Sequence, residues 1–243
     1  MNLLVVGAGA MGRWFAETVG DEFDEIAFLD TDEAVARAAA ETLDGRVCSA
    51  DETTTFDLVC IAVPLPAATD VIEASADRVD GAICDVTGSM LGPVNAMAEY
   101  CSDAERLSLH PLFAAENAPG RVAVVEANGG SIVRRVRDAM LAAGNRLVET
   151  TPAEHDDAME TVQARAHTAI LAFGLAAESV PEKFQTPISA RLNDLVEQVT
   201  DGEARVYSDI QAAFDGADDV AAAAREIAAA DAETFAELYE RAR

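Results

Sequence analysis

Leu3-Leu4-Val5-Val6-Gly7-Ala8-Gly9-Ala10-Met11-Gly12 is the stretch that decides the fold of this chain. An apolar run stops at Gly7, glycines recur at Gly9 and Gly12, and Arg13-Trp14-Phe15-Ala16-Glu17 continues with helical character. Gly-x-Gly-x-x-Gly between a strand and a helix is the context in which that spacing binds a dinucleotide. Gly7 admits the tight turn, Gly9 lets a pyrophosphate approach the backbone, and Gly12 lets helix and strand pack closely. The helix start, with its unpaired N–H groups and positive dipole end, suits phosphate. The expected cofactor loop is therefore Gly7, Ala8, Gly9, Ala10, Met11 and Gly12.

Outward from this turn, strand and helix patterns alternate to about residue 150. Strands are expected at 3–6, 26–29, 58–63, 82–86, 106–109, 122–125 and 146–149, and helices at 10–20, 33–43, 67–78, 93–100 and 131–143. Continuous apolar strands separated by helices predict a parallel sheet covered on both faces. Thr151-Pro152-Ala153-Glu154 then reads as a capping box with proline at the first helical position. It opens a run to about 178, followed by helices at 188–199 and 217–242. The expectation is an α/β chain: an N-terminal Rossmann parallel sheet over 1–150 and a C-terminal all-helical domain over 151–243. Such a pairing puts a small-molecule substrate in the cleft between domains, and the alanine-rich helices suit packing of two subunits into a homodimer.

Composition narrows the partners. There are 44 acidic residues against 17 Lys+Arg, a formal charge of −27, and Lys183 is the only lysine. A surface of that sign repels nucleic acid and anionic membranes. The acids are spread along the chain rather than gathered in a tail, as in proteins of salt-loving organisms, so folding is expected to need high salt. Cys48, Cys60, Cys84 and Cys101 lack paired metal-ligand spacing and read as buried reduced thiols, with no metal site. No signal peptide and no spanning segment is read, so a cytoplasmic location is expected.

Asp30 closes the second expected strand at the distance from the glycine turn where a carboxylate bonds the adenine ribose. That charge favours NAD over NADP. Ala62, Val63 and Pro64, ending the third long strand, are expected beside the cofactor through their backbone, and Thr87 joins the cofactor set.

The chain has three histidines, His110, His155 and His167. His110 stands just past a strand end, where ligands bind in such sheets, and an imidazole there can take a proton from a hydroxyl. His155, beside the capping box, reads as structural.

Several segments together resemble the prephenate dehydrogenase family. Gly9-Ala10-Met11-Gly12-Arg13-Trp14-Phe15 is similar to its opening, Asp85-Val86-Thr87 with Gly92-Pro93 to the segment before its catalytic loop, and Leu109-His110-Pro111-Leu112-Phe113 is the most specific match. His155 to His167, Thr186-Pro187-Ile188 and Val206-Tyr207-Ser208-Asp209-Ile210 resemble its helical domain. The resemblance implies NAD-dependent oxidative decarboxylation of prephenate to 4-hydroxyphenylpyruvate, in tyrosine biosynthesis, with His110 accepting the ring hydroxyl's proton. It further implies substrate contacts at Glu116 and His167. Gly88 and Met90 stand where the family often has serine and lysine, with Ser89 as the replacement serine. Gln198 falls where many members carry a carboxylate-binding arginine, leaving Arg191 or Arg205 to supply the charge. Alternatives are an arogenate dehydrogenase, a pyrroline-carboxylate or imine reductase, and a non-catalytic NAD-sensing module.

Overall fold

The structure is a computed structural model that describes residues 1–243. The chain divides into two compact units, Met1–Asp156 and Asp157–Arg243. The division lies at 156/157 rather than at the expected 150/151. The physical reason is local: His155 and Asp156 bond to residues of the sheet unit.

The first unit is built on β1 (Asn2–Val6), α1 (Ala10–Val19), β2 (Glu25–Leu29), α2 (Glu33–Thr42), β3 (Arg46–Val47), β4 (Phe56–Ile61), α3 (Ala68–Ser75), β5 (Val79–Asp85), α4 (Leu91–Tyr100), β6 (Glu105–Pro111), β7 (Arg121–Asn128), α5 (Ser131–Ala142) and β8 (Arg146–Glu149). They form one eight-stranded sheet in the order β3-β2-β1-β4-β5-β6-β7-β8. The order reverses direction after β1, which is the crevice where doubly wound sheets bind ligands. Burial alternates along the central strands. Leu3 and Val5 of β1, with Leu58 and Cys60 of β4, pack on α1, α2 and α5 through Phe15, Ala39 and Val136. Leu4 and Val6, with Val59 and Ile61, face the other side against Ile72 of α3 and Met97 of α4. Both faces are covered, which is why these strands read as unbroken apolar runs.

The expected all-parallel sheet needs one correction. β7 runs antiparallel to β6, in register His110↔Ala123 and Leu109↔Val124, while β8 is parallel to β7. The link from Pro111 to Arg121 holds only a short 3-10 turn, Ala115–Asn117. A parallel return needs a crossover of about a dozen residues or more, usually a helix.

The second unit is helical. α6 (Pro152–Met159) leads across the boundary into a π-helical segment, Glu160–Arg165, and α7 (Ala166–Ala176). α8 (Pro187–Thr200), α9 (Ala204–Ala213), α10 (Ala217–Ala229) and α11 (Ala232–Arg241) follow. The expected helix 217–242 is two helices, because Asp231 caps a new one by accepting from Thr234 N–H at 2.9 Å. Only half of the expected capping box at 151–154 forms. Glu154 N–H donates to Thr151 Oγ1 at 3.2 Å, but the Glu154 carboxylate accepts from the Thr150 hydroxyl instead. The four cysteines are free and buried. No helix is long and apolar enough to cross a membrane.

Candidate active site

The three glycines of the first turn answer to three different constraints. Gly7 adopts φ +95°, and a Cβ there would lie 2.3 Å from the Ala62 carbonyl oxygen. A Cβ on Gly12 would lie 1.9 Å from the Gly7 carbonyl oxygen, so α1 leaves the turn at backbone contact distance. A Cβ on Gly9 would meet nothing within 4 Å. Gly9 and Ala10 are exposed, Gly9 is the N-cap of α1, and no side chain caps it. The loop thus presents open space over an uncapped helix start, the arrangement that suits a pyrophosphate. Asp30 is fixed beside it: Oδ2 accepts from Ala8 N–H at 2.8 Å and Oδ1 from Asp32 N–H at 2.9 Å. Ala62 and Val63 are half-buried just past β4, and Ala62 N–H continues the ladder to the Val6 carbonyl. These residues fit a dinucleotide. No group of three His, Cys, Asp or Glu side chains stands together to hold a metal ion.

At the carboxyl ends of β5 and β6 lies a buried cluster of titratable groups. His110, the penultimate residue of β6, is 6% exposed, and its Nδ1 is 2.8 Å from Nε2 of His155. The two rings meet edge to face with centroids 5.0 Å apart. His155 Nδ1 in turn lies 2.7 Å from Asp156 Oδ1. Asp156 also accepts from the backbone N–H groups of Met90 (2.9 Å) and Leu91 (3.1 Å) and from the Ser89 hydroxyl (3.1 Å). Burial, and then the neighbouring His155, push the His110 pKa down to about 3, with Asp156 pulling the other way. Burial also opposes charge on Asp156, but the bonds from His155, Met90 and Leu91 prevail and hold it below the usual carboxylate range. Asp85, at the end of β5, is fully buried, and burial raises it to about 6 against the lowering pull of Thr87, whose hydroxyl lies 2.5 Å from Oδ2.

The segment before α4 explains its departures from the family pattern. A Cβ on Gly88 would lie 3.6 Å from His110 Nε2 and 3.2 Å from Leu65 Cδ1, so position 88 borders the outer nitrogen of the histidine. Ser89 is turned to Asp156 and serves that carboxylate. Met90 is fully buried against Ala123 and Val125, so this position is part of the apolar core. Two segments that carried the resemblance are packed on each other: the Phe113 ring stands edge-on to Trp14 at 5.4 Å.

Thr87 is buried, bridging Asp85 and the Ser89 carbonyl. Pro64 is exposed past β4, and Glu116 is exposed in the loop after β6. In the second unit, His167 meets the Tyr207 ring edge to face at 4.9 Å, and burial lowers its pKa. Arg191 and Gln198 are exposed on α8, seven positions apart on one helical face. Arg205 is 3.7 Å from Glu203 and 3.8 Å from Asp209. Sequence reasoning passed over His155 and Asp156. The available signal was a His-Asp pair in the first turn of a helix, in a chain with only three histidines.

A Rossmann sheet with a bare glycine turn, an acid ending β2 and a buried histidine ending β6 is an architecture that fits a bound dinucleotide. No family model matches the chain. It is 29% identical to a 4-amino-4-deoxyprephenate dehydrogenase of Streptomyces pristinaespiralis, over 98% of this chain and 88% of that protein. Among solved structures, it is similar to A. aeolicus prephenate dehydrogenase in complex with hydroxyphenyl propionate and NAD+ (TM-score 0.74, 15% identity, 100% and 96% of the two chains). It is also similar to Synechocystis arogenate dehydrogenase (TM-score 0.63, 14% identity, 99% and 97% of the two chains). The chain thus shares the fold of these prephenate and arogenate dehydrogenases, and its sequence relative is a dehydrogenase.

Proposed function

We propose that this chain is an NAD-dependent dehydrogenase that oxidatively decarboxylates prephenate to 4-hydroxyphenylpyruvate. The observation that carries the reading is His110, buried at the end of β6 with Nδ1 engaged by His155 and Nε2 bordering Gly88. The relative's name, a dehydrogenase of an amino analogue of prephenate, supports the substrate class, and the structural neighbours' names support NAD and a prephenate or arogenate substrate.

The nucleotide would lie on Gly7, Ala8, Gly9, Ala10, Met11 and Gly12, with Asp30 on its ribose and Ala62, Val63, Pro64 and Thr87 along the strand ends. Its nicotinamide ring supplies the hydride acceptor. Asp30, just past β2, disfavours the extra phosphate of NADP. His110 bonds the ring hydroxyl and takes its proton while hydride leaves the same carbon and carbon dioxide leaves the opposite end of the ring. The proton returns to that oxygen as the ring becomes aromatic. Prephenate and NAD+ then give 4-hydroxyphenylpyruvate, carbon dioxide and NADH with no proton left over. A weakly basic histidine suits a proton held only in passing. Glu116 and His167 are the proposed polar contacts, and Arg191, exposed and free of ion pairs, is the proposed cation for a substrate carboxylate, with Gln198 on the same face.

We further infer a homodimer formed through the helical unit. α7 (Ala-His-Thr-Ala-Ile-Leu-Ala-Phe-Gly-Leu-Ala) is apolar nearly all round, yet none of its residues is buried. Leu175 is 89% exposed and Ile188 74%. A helix apolar on every side belongs in an interior.

The deciding experiment mixes the protein, in molar salt, with NAD and in turn prephenate, arogenate and 4-amino-4-deoxyprephenate, following nicotinamide absorbance. Fastest turnover on prephenate is expected. Preference for either amino compound moves the assignment to that substrate, and turnover of none rejects it.

A further inference from the structure

We propose that His155 and Asp156 are positioning residues that fix the tautomer of His110 and hold the positive charge it acquires when it takes the substrate's proton. The proposal rests on the reading of His110 as the base and adds two residues that neither the glycine turn nor the strand end requires.

The assignment starts at α4. The Asp156 carboxylate accepts from Met90 N–H and Leu91 N–H, which open that helix, and from the Ser89 hydroxyl. An ionised carboxylate only accepts, so the ring nitrogen facing it, His155 Nδ1 at 2.7 Å, carries a proton. A neutral imidazole has one N–H, so His155 Nε2 is an acceptor. The 2.8 Å contact with His110 then requires His110 Nδ1 to donate. By the same count His110 Nε2 bears the lone pair, on the edge that borders Gly88. Two histidines and one capped carboxylate thus transmit orientation from a helix end to the nitrogen that meets the substrate.

The same bonds manage charge. When Nε2 binds the hydroxyl proton, the Nδ1 proton can move toward His155 Nε2, and the His155 Nδ1 proton toward Asp156. Only N–H and O–H bonds are exchanged, no electrons are transferred, and the sequence reverses when the phenol oxygen reclaims its proton. Asp156 favours the protonated form of His110, against burial and the neighbouring His155, and passing the charge along the chain toward Asp156 brings it to the carboxylate.

Three histidines make the test direct. Imidazole 15N spectra of the apo protein at about pH 7.5 in molar KCl would be assigned by the signal lost in His110→Asn. We expect His110 protonated on Nδ1 alone, and a shift of that proton to Nε2 in His155→Phe. A wild-type His110 protonated on Nε2, or one unchanged in His155→Phe, overturns the proposal, and the wild-type spectrum decides even if the variant does not fold. In kinetics, Asp156→Asn should lower kcat about 10- to 100-fold, with KM and the NADH Kd within about twofold. A loss confined to Tm or to NADH affinity would mean that Asp156 only caps α4. Absence of turnover on every substrate would reject the functional reading and leave the tautomer result standing. A wrong tautomer would reject this inference and leave turnover standing.

Discussion

At the scale of residues, two buried titratable groups pull stability in opposite directions with pH. His110 falls from 6.5 to about 3 on folding, so its contribution is fully present above pH 6.5 and is lost as pH falls toward 3. Asp85 rises from 3.8 to about 6, so its contribution is present below 3.8 and is lost as pH rises through 6. Asp85→Asn removes the second effect. The variant should gain on wild type by roughly 2 kcal/mol between pH 4 and pH 7.5, measured by denaturant unfolding at each pH. An equal difference at both pH values would refute the Asp85 assignment. The glycines make a second contrast. Gly12→Ala drives a Cβ onto the Gly7 carbonyl and should cost about 1–3 kcal/mol in stability. Gly9→Ala meets open space, so Tm should stay within about 2 °C while NAD affinity falls at least about tenfold, read by titration calorimetry. Equal losses of stability in both variants would remove the distinction. These residues were legible in the sequence because a local spacing defines them. His155 and Asp156 were not, because their role arises only where the end of β6 meets the first turn of α6, and a neighbouring capping box already accounted for the segment.

At the scale of elements, legibility tracked how much each element buries. The central strands, apolar on both sides, were read with ends off by a few residues, and α1, α2 and α5 almost residue for residue. β3, two residues long, has no periodicity to read, and α9 starts at Ala204 without a side-chain cap. The direction of β7 depends on the length of a loop rather than on any property of the strand. The π-helical turn also left no mark on the apolar pattern. Its register is held by tertiary bonds, as Gln211 Nε2 donates to the Ala164 carbonyl and Arg165 pairs with Asp219 at 2.6 Å. π-bulges gather at functional sites, and this one ends two residues before His167. The exposed apolar surface of α7 and of the start of α8 carries the dimer inference to a measurement. Light scattering in molar KCl should give twice the 25.5 kDa chain mass. Leu175→Glu with Ile188→Glu should give the monomer, because two charges buried in an apolar interface lack partners. A wild-type monomer would exclude the interface.

At the scale of the whole molecule, charge dominates. With 44 acids and 17 basic residues, each cation can be paired and most acids still repel one another. The pairs that form, such as Arg37–Glu33 and Arg241–Glu226, are exposed, and such pairs each add little. Molar salt shortens the screening length to about 3 Å, which removes the long-range repulsion and leaves close contacts. Tm should therefore rise by about 10 °C or more from 0.1 to 2 M KCl, a gain of several kcal/mol for a chain of this size, followed by circular dichroism. A flat response would mean that the acids are neutralised by other means. The placement of the unit boundary after Asp156 bears on how this chain can be recombined with others of its fold. A chimera joined at residue 150 would inherit the nucleotide loop and His110 but trade away His155 and Asp156. The proposed base would then depend on whatever residues the donor helix happened to bring. Joined at 157, the graft would keep the proposed relay of His110, His155 and Asp156 whole and exchange only the helical unit.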